Sequence, residues 1–346
     1  MNPLTKLASY FSLLLGTTIT ITSNHWAMAW TGLEINTLAI IPLISKLHHP
    51  RAIEATVKYF LTQAAASTLI LFSSTINAWM CGQWGLTQMS TPTACILLTT
   101  GIAMKLGLVP FHFWFPEVLQ GSSLTTALLL STVMKLPPIT LLYLTSNTMN
   151  HTLLTTMALL SIALGGWAGL NQTQLRKILA FSSISHLGWM VIIIMYNPKL
   201  TLLTFYLYSI MTSTVFMSLN TTKTMKLSTM LSSWTKTPPL NAALMLTLLS
   251  LAGLPPLTGF LPKWLITQEL IKQEMTPMAT IIIMLSLLSL FFYLRLAYHS
   301  TITLPPNTTN HMKLWHTHKS TNTKTGILTS MSLLLLPLSP LILAAT

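Results

Sequence analysis

The chain has 346 residues, of which 51% are hydrophobic and only 7% are charged, and its mean hydropathy is +0.63. Because a soluble domain carries about 25% charged residues, this composition excludes a water-soluble globular protein and indicates a polytopic membrane protein. The net charge of +13 would suggest a nucleic-acid partner in a soluble chain. Here the basic residues lie mostly between apolar segments, which favours a role in membrane topology.

The two cysteines, Cys81 and Cys95, have a spacing that predicts neither a disulfide framework nor a metal site. The first ten residues resemble neither a presequence nor a signal peptide, so we expect the first span to begin near residue 4. Membrane insertion without a cleavable targeting sequence is typical of a bacterial membrane protein or of a protein that an organelle synthesises itself.

Eleven apolar segments are long enough to cross a bilayer as helices, since a core of about 30 Å needs roughly 20 helical residues. We therefore predict an all-α polytopic membrane protein that forms a single membrane domain over residues 1–346. The predicted spans are 4–21, 26–44, 56–80, 92–120, 124–145, 152–170, 174–195, 199–221, 240–272, 276–298 and 326–344.

The distribution of basic residues supports an odd number of spans. With eleven spans, the loops 45–55, 171–177, 222–239 and 299–325 lie on the same side as the N-terminus, and only Lys199 and Lys272 lie opposite. By the positive-inside rule, the N-terminal side is the cytoplasmic or matrix face, and the C-terminus lies opposite. The basic residues on the N-terminal side are Lys6, Lys46, Arg51, Lys58, Arg176, Lys177, Lys223, Lys226, Lys236, Arg295, Lys313, Lys319 and Lys324.

Two of the predicted spans contain glycine and proline clusters that interrupt a helix. The first cluster lies near residues 107–116 in the fourth span, and the second near 253–262 in the ninth. Two broken helices in comparable parts of two halves are typical of a transporter built from an inverted repeat, with its site beside the breaks. Ordinary proline kinks are the alternative interpretation.

Four ionisable side chains remain inside the predicted spans: Glu34, Lys105, Lys135 and Lys263. Each would cost about 2.5–3.5 kcal/mol at mid-bilayer, so they must face one another, water or freed carbonyl groups. Burial and a nearby carboxylate act in opposite directions on the proton affinity of a lysine. The pattern therefore predicts a proton relay. A structural ion pair is the alternative, although one glutamate cannot pair with three lysines, and Lys263 is near enough to a span end to snorkel.

Two histidines extend this predicted relay. His112 lies in the first break, and His186 lies in the middle of the seventh span among serines that, with bound water, could carry protons. A histidine that only packs helices together is the alternative for each. His316 and His318 resemble a metal site, but the surrounding loop lacks acidic and cysteine ligands, so we predict no metal here. No nucleotide-binding loop, iron–sulfur spacing or haem motif is present, so no redox centre is predicted in this chain.

Several long motifs in order resemble the vertebrate mitochondrial members of one family, the antiporter-like subunits in the membrane arm of respiratory complex I (NADH–ubiquinone oxidoreductase). The resemblance covers essentially the whole chain. The motifs are Met1-Asn-Pro, Trp30-x-Gly-Leu-Glu34-Ile-Asn, Met104-Lys105-Leu-Gly-Leu-Val-Pro-Phe-His112-Phe-Trp-Phe-Pro-Glu117, Lys135-Leu-Pro-Pro, Ser182-Ser-Ile-Ser-His186-Leu-Gly-Trp and Leu254-Pro-Pro-x-x-Gly-Phe-x-Pro-Lys263-Trp.

This resemblance implies roles for the intramembrane residues. Glu34 and Lys105 would form the coupling ion pair beside the first broken helix, and Lys135 would be the central relay lysine. Lys263 would act beside the second broken helix, toward the adjoining subunit. His112 and His186 would link these groups along the axis. Relative to longer bacterial members, we expect helices to be missing at the N-terminus and a lateral helix to be missing at the C-terminus.

The resemblance also implies partners and a location. Other subunits of the complex would bind NADH, flavin, iron–sulfur clusters and ubiquinone, and this chain would contact neighbouring antiporter-like subunits, accessory subunits and lipids in the mitochondrial inner membrane. The enzyme activity would belong to the assembly. A stand-alone cation/proton antiporter and a structural scaffold subunit are the alternative functions.

Overall fold

The computed structural model describes residues 3–47, 49–234, 237–302 and 323–339, and they fold almost entirely as helices. They form two compact units. The first unit comprises residues 1–162 and 187–198, and the second comprises residues 163–186 and 199–346.

The first unit begins with three long helices: α1 (Pro3–Thr22), α2 (Trp26–Ile44) and α3 (Pro50–Cys81). Close packing of α1 on α2 depends on Gly16 and Gly32, because a Cβ at either position would lie within 3.0 Å of the other helix. The 32 residues of α3 span about 48 Å at 1.5 Å per residue, which exceeds a hydrocarbon core of about 30 Å. One end of α3 therefore projects beyond the apolar layer.

The first predicted break is present and begins at the predicted glycine. Helix α4 (Pro92–Leu106) ends where Gly107 adopts a left-handed φ of 76°, and α5 (Trp114–Gly121) follows after a loop. The amide of Gly107 donates to the carbonyl of Ala103 at 2.9 Å, and the amide of Leu108 donates to the same carbonyl at 3.0 Å. This backbone pattern ends a helix abruptly, and glycine adopts it without the steric penalty of a side chain.

The fifth predicted span is also discontinuous, which the sequence analysis did not predict. Helix α6 (Leu124–Ser131) ends, a 3-10 turn covers Val133–Lys135, and α7 (Leu136–Leu144) continues the path. Pro137 and Pro138 have no amide hydrogen to donate, so the preceding turn cannot continue the α-helical pattern and tightens instead. Lys135 therefore lies at a third interruption. The first unit then continues with the N-terminal part of α8 (His151–Gly169).

Helices α8 and α9 (Leu175–Ile194) are each divided between the two units, and the remaining helices belong to the second unit. They are α10 (Pro198–Thr222), the short α11 (Leu227–Ser233), α12 (Pro238–Ala252), α13 (Phe260–Lys272), α14 (Thr276–Ile302) and α15 (Thr323–Leu334). The second predicted break is present between α12 and α13. It also begins at a left-handed glycine, Gly253, with a φ of 79°.

The last helix is tied to the second break. The hydroxyl of Thr258, in the loop between α12 and α13, donates to the backbone carbonyl of Ser332 near the end of α15. The final carbonyl groups of a helix have no partner within it, so this hydroxyl satisfies one of them.

Each of the eleven predicted spans corresponds to helical structure. Within the described residues, eight helical segments are long and apolar enough to cross a membrane, and the shorter apolar helices α4 and α12 belong to the two broken spans. The eleventh span is represented by α15, while its last residues, 340–344, lie outside the described residues. Most of the predicted polar loop 299–325 also lies outside the described residues, since residues 303–322, with His316 and His318, are not described. The first residues of that predicted loop are helical, because α14 extends to Ile302. The protein is an all-α multi-pass membrane protein with the two predicted broken helices and a further interruption at Val133–Lys135.

Candidate functional site

Lys105 lies in the last turn of α4, directly before the first break. Its side chain is only 6% exposed. Within the described part of the chain, the Lys105 ammonium makes no hydrogen bond. A buried ammonium is costly without compensation, so its electrostatic surroundings decide whether it keeps its proton.

Glu34 supplies the nearby negative charge. It lies midway along α2, is half-buried, and accepts a hydrogen bond of 3.1 Å from the hydroxyl of Thr37. Its carboxylate interacts electrostatically with Lys105. The ion pairs among the described residues do not include these two side chains. The predicted pair is therefore a through-space interaction here, without direct contact.

Lys135 lies in the 3-10 turn between α6 and α7 and is 3% exposed. Its ammonium lies 4.7 Å from the centroid of the Phe115 ring, on α5. A cation held over an aromatic face in a water-poor environment gains about 2 kcal/mol from the negative face of the ring. Phe115, on the helix that follows the first break, therefore contacts Lys135.

Lys105 and Lys135 line the same small cavity. Its volume is about 20 Å³, and polar groups of Asn36, Thr37 and Gln63 lie among its lining residues. A cavity of at least about 10–15 Å³ with several polar partners can hold one water molecule. The cavity therefore has the size and polarity to hold one water molecule beside the two lysines.

Several cavity-lining residues were not predicted as site residues from the sequence, among them Tyr59 and Gln63 on α3 and Phe115 on α5. Gln63 carried a usable signal, because an amide inside an apolar span is expected to face the protein interior. Tyr59 lies one turn earlier on the same helix and is 1% exposed. Phe115 carried no signal, since three other aromatic residues stand within four positions of it.

His112 lies in the loop of the first break and is 7% exposed. Its ring lies 4.2 Å from that of Phe113, and its Nδ1 atom has no hydrogen-bond partner among the described residues. The cavity shared by the two lysines is lined by other residues. The structure therefore places His112 in the predicted break, outside the lining of that cavity.

Lys263 lies in the first turn of α13, directly after the second break. Its ammonium donates a hydrogen bond of 2.7 Å to the carbonyl of Ala252, the last residue of α12. The side chain passes over Gly253, where an added Cβ would lie 2.8 Å from the Cδ atom of Lys263. The Ala252 carbonyl, at the break, thus accepts a hydrogen bond from the lysine. A backbone carbonyl within a membrane needs such a partner because an unsatisfied one is energetically costly.

His186 lies in the middle of α9 and is half-buried, with its ring 5.3 Å from that of Tyr208 on α10. The hydroxyls of Ser182, Ser183 and Ser185 donate to backbone carbonyls of the same helix at 2.7–2.8 Å. These bonds direct the hydroxyl hydrogens along α9. In the first unit the structure thus brings Glu34, Lys105 and Lys135 together, while Lys263 and His186 occupy separate helices of the second unit.

No cluster of three or more histidine, cysteine, aspartate or glutamate side chains with the geometry of a metal site occurs in the described ranges.

Residues 23–289 match the family model described as NADH:quinone oxidoreductase/Mrp antiporter, TM. The chain belongs to this family. Residues 290–343 match a second model, NADH dehydrogenase subunit 2 C-terminus. The sequence resemblance to the antiporter-like subunits is therefore confirmed.

Members of the NADH:quinone oxidoreductase/Mrp antiporter family resemble the chain over its full length. The chain is 75% identical to NADH-ubiquinone oxidoreductase chain 2 of Struthio camelus over 345 residues, and this alignment covers 100% of both proteins. It is 76% identical over 343 residues to the protein of the same name from Gallus gallus, covering 99% of each.

Solved structures show the same fold. A chain of respiratory complex I from Thermus thermophilus, with bound aureothin, superposes with a TM-score of 0.83 at 25% identity, covering 97% of this chain and 80% of that one. A chain of the Mrp complex from Dietzia sp. superposes with a TM-score of 0.82 at 16% identity, covering 96% and 74%. Because the sequence identity to the Mrp chain is only 16%, that similarity shows the fold alone.

Proposed function

We propose that this protein is a core membrane-arm subunit of respiratory complex I that couples NADH-to-ubiquinone electron transfer to proton translocation. The relay would use Glu34, Lys105, Lys135, Lys263, His112 and His186. The observation that carries the proposal is the cavity that Lys105 and Lys135 share beside the first broken helix, with Glu34 close enough to interact electrostatically with Lys105.

The chemistry of this cavity fits proton transfer. A buried lysine changes charge when it releases its proton, and the cost of that change is set by nearby charges and by hydration. The position of Glu34 relative to Lys105 would therefore tune how readily the lysine releases a proton. A hydrated cavity would give that proton a path to Lys135, because water bridges polar groups that do not touch.

The remaining parts of the function follow from the family. The relatives' name, NADH-ubiquinone oxidoreductase chain 2, supports assembly with other membrane-arm subunits, including antiporter-like and accessory subunits. Other subunits would bind NADH, flavin, iron–sulfur clusters and ubiquinone, so this chain would contribute proton movement without a redox centre of its own. The excess of basic residues in loops on one side supports a matrix-side N-terminus and an intermembrane-space C-terminus in the mitochondrial inner membrane.

The decisive experiment is Lys135→Met in the assembled complex, reconstituted in vesicles, with protons translocated per electron measured during NADH oxidation. We expect the ratio to fall, because methionine fills similar space but cannot carry a proton. Lys272→Met is the matched control, since Lys272 is exposed and paired with Glu269 at 2.7 Å. A normal ratio in an assembled Lys135→Met complex would instead favour a structural scaffold.

A further inference from the structure

The short helix α5, directly after the first break, is seated on α3 by three contacts. A Cβ added at Gly121 would lie 2.6 Å from both the Cβ atom of Ala55 and the carbonyl oxygen of Arg51, so the two backbones are in close contact there. On the same face of α5, the carboxylate of Glu117 accepts from the ammonium of Lys58 at 2.5 Å. These contacts fix the α5 backbone relative to α3.

The third contact lies at the start of α5. The ring of Trp114 meets the ring of Tyr59 edge-on, with centroids 5.7 Å apart. Tyr59 and Trp114 both line the cavity that holds the two lysines. The seat of α5 therefore extends from the N-terminal turns of α3 to the cavity itself.

Phe115 is the residue that this seat presents to the central lysine. It is 2% exposed, it lines the shared cavity, and its ring centroid lies 4.7 Å from the Lys135 ammonium. The face of an aromatic ring attracts an ammonium ion and has far less attraction for a neutral amine. The ring therefore attracts the protonated form of Lys135 more strongly than the neutral form, so the position of the side chain depends on its charge.

We propose that Phe115 is a positioning residue that holds the protonated Lys135 side chain beside the cavity it shares with Lys105. This inference rests on the proposed relay and adds a residue to it. The first broken helix then serves both lysines: its first half carries Lys105, and its second half carries the ring that holds Lys135. When Lys135 loses its proton, the attraction weakens and the side chain is released from the ring.

The test compares aromatic and aliphatic substitutions at position 115 in the assembled, reconstituted complex. Phe115→Leu and Phe115→Met remove the ring but keep an apolar side chain, and we expect both to lose most of the proton translocation per electron. Phe115→Tyr and Phe115→Trp keep an aromatic face, and we expect at least one of them to restore the ratio. Using two aliphatic variants guards against one that fails to assemble.

Phe216→Leu is the matched control, because Phe216 on α10 is also 2% exposed. The inference is overturned if the aliphatic variants pump normally, if both aromatic variants pump as poorly as the aliphatic ones, or if Phe216→Leu impairs pumping equally. It is also overturned if no variant at position 115 assembles while Phe216→Leu does, since the ring would then be needed for folding. Lys135→Met in the same series separates the two proposals: normal pumping in that variant would refute the relay itself.

Discussion

The ammonium of Lys263 donates a 2.7 Å hydrogen bond to the carbonyl of Ala252, and so joins the two halves of the second broken helix. The lysine follows the break and the carbonyl precedes it. At the first break the order is reversed, because Lys105 precedes Gly107 and belongs to the helix that ends there. The two breaks therefore present their lysines from opposite halves.

This bond predicts that Lys263 has both a structural and a functional role. Lys263→Met would leave the Ala252 carbonyl without this donor, at a cost of about 1–3 kcal/mol for a buried acceptor. We expect a lower thermal midpoint for the membrane arm and reduced proton translocation. Lys263→Arg keeps a donor and should recover much of the stability, although guanidinium does not release a proton. Equal thermal midpoints for the methionine and arginine variants would contradict the bond's structural role.

Three left-handed glycines provide a graded test of the breaks. Alanine at a positive φ costs about 1–2 kcal/mol from backbone strain alone. At Gly82 nothing lies within 4 Å of an added Cβ, and at Gly107 the nearest atom is 3.5 Å away. At Gly253 the Lys263 side chain lies 2.8 Å away. We therefore expect Gly82→Ala and Gly107→Ala to lower stability by similar amounts, and Gly253→Ala also to reduce pumping by displacing Lys263.

Thermal midpoints of the purified complexes and protons translocated per electron measure these two effects separately. Normal pumping by an assembled Gly253→Ala complex would show that the position of Lys263 over the glycine is unimportant.

The seat of α5 on α3 predicts a strong effect at Gly121. Gly121→Ala would force α5 away from Arg51 and Ala55, so we expect impaired assembly or a clear loss of stability. Gly326→Ala in α15 is the control, because nothing lies within 4 Å of that position and alanine favours a helix. Blue-native electrophoresis of both variants, followed by thermal denaturation, distinguishes them. Similar behaviour of the two would argue against a tight seat.

The tie between the second break and α15 is testable by hydrogen exchange. Thr258→Val removes the hydroxyl that donates to the carbonyl of Ser332, while Thr258→Ser retains it. Loss of the donor leaves a buried carbonyl unsatisfied, at about 1–3 kcal/mol, so the last turns of α15 should open more often. We expect faster amide exchange in peptides covering α15 for the valine variant only. Unchanged exchange would show that α15 is held by its apolar packing.

Most of the architecture could be predicted from the sequence, because the bilayer imposes simple rules. Apolar length identified the spans, and glycine–proline clusters located both breaks at Gly107 and Gly253. The third interruption, before Pro137, was not predicted, although the pair Pro137 and Pro138 stands in the sequence. The reason is local: a proline pair can bend a helix or break it, depending on what packs against the turn.

The site was less predictable than the fold. Ionisable residues in apolar spans identified the candidate lysines, since their cost in lipid forces them inward. The sequence could not show that Lys105 and Lys135 share a cavity, because they belong to different spans and their proximity arises from tertiary packing. It also could not distinguish Phe115 from neighbouring aromatic residues, because only the direction of its ring sets it apart.

The glycine-terminated ends of α4 and α12 bear on how the protein changes state. Each end is closed by backbone hydrogen bonds to carbonyls of the preceding turn, at Gly107 and Leu108 and again at Gly253 and Leu254. We therefore expect both helix ends to keep one backbone conformation while side chains reorient around them during the catalytic cycle. Spin labels flanking either helix end should then report one narrow distance distribution throughout turnover.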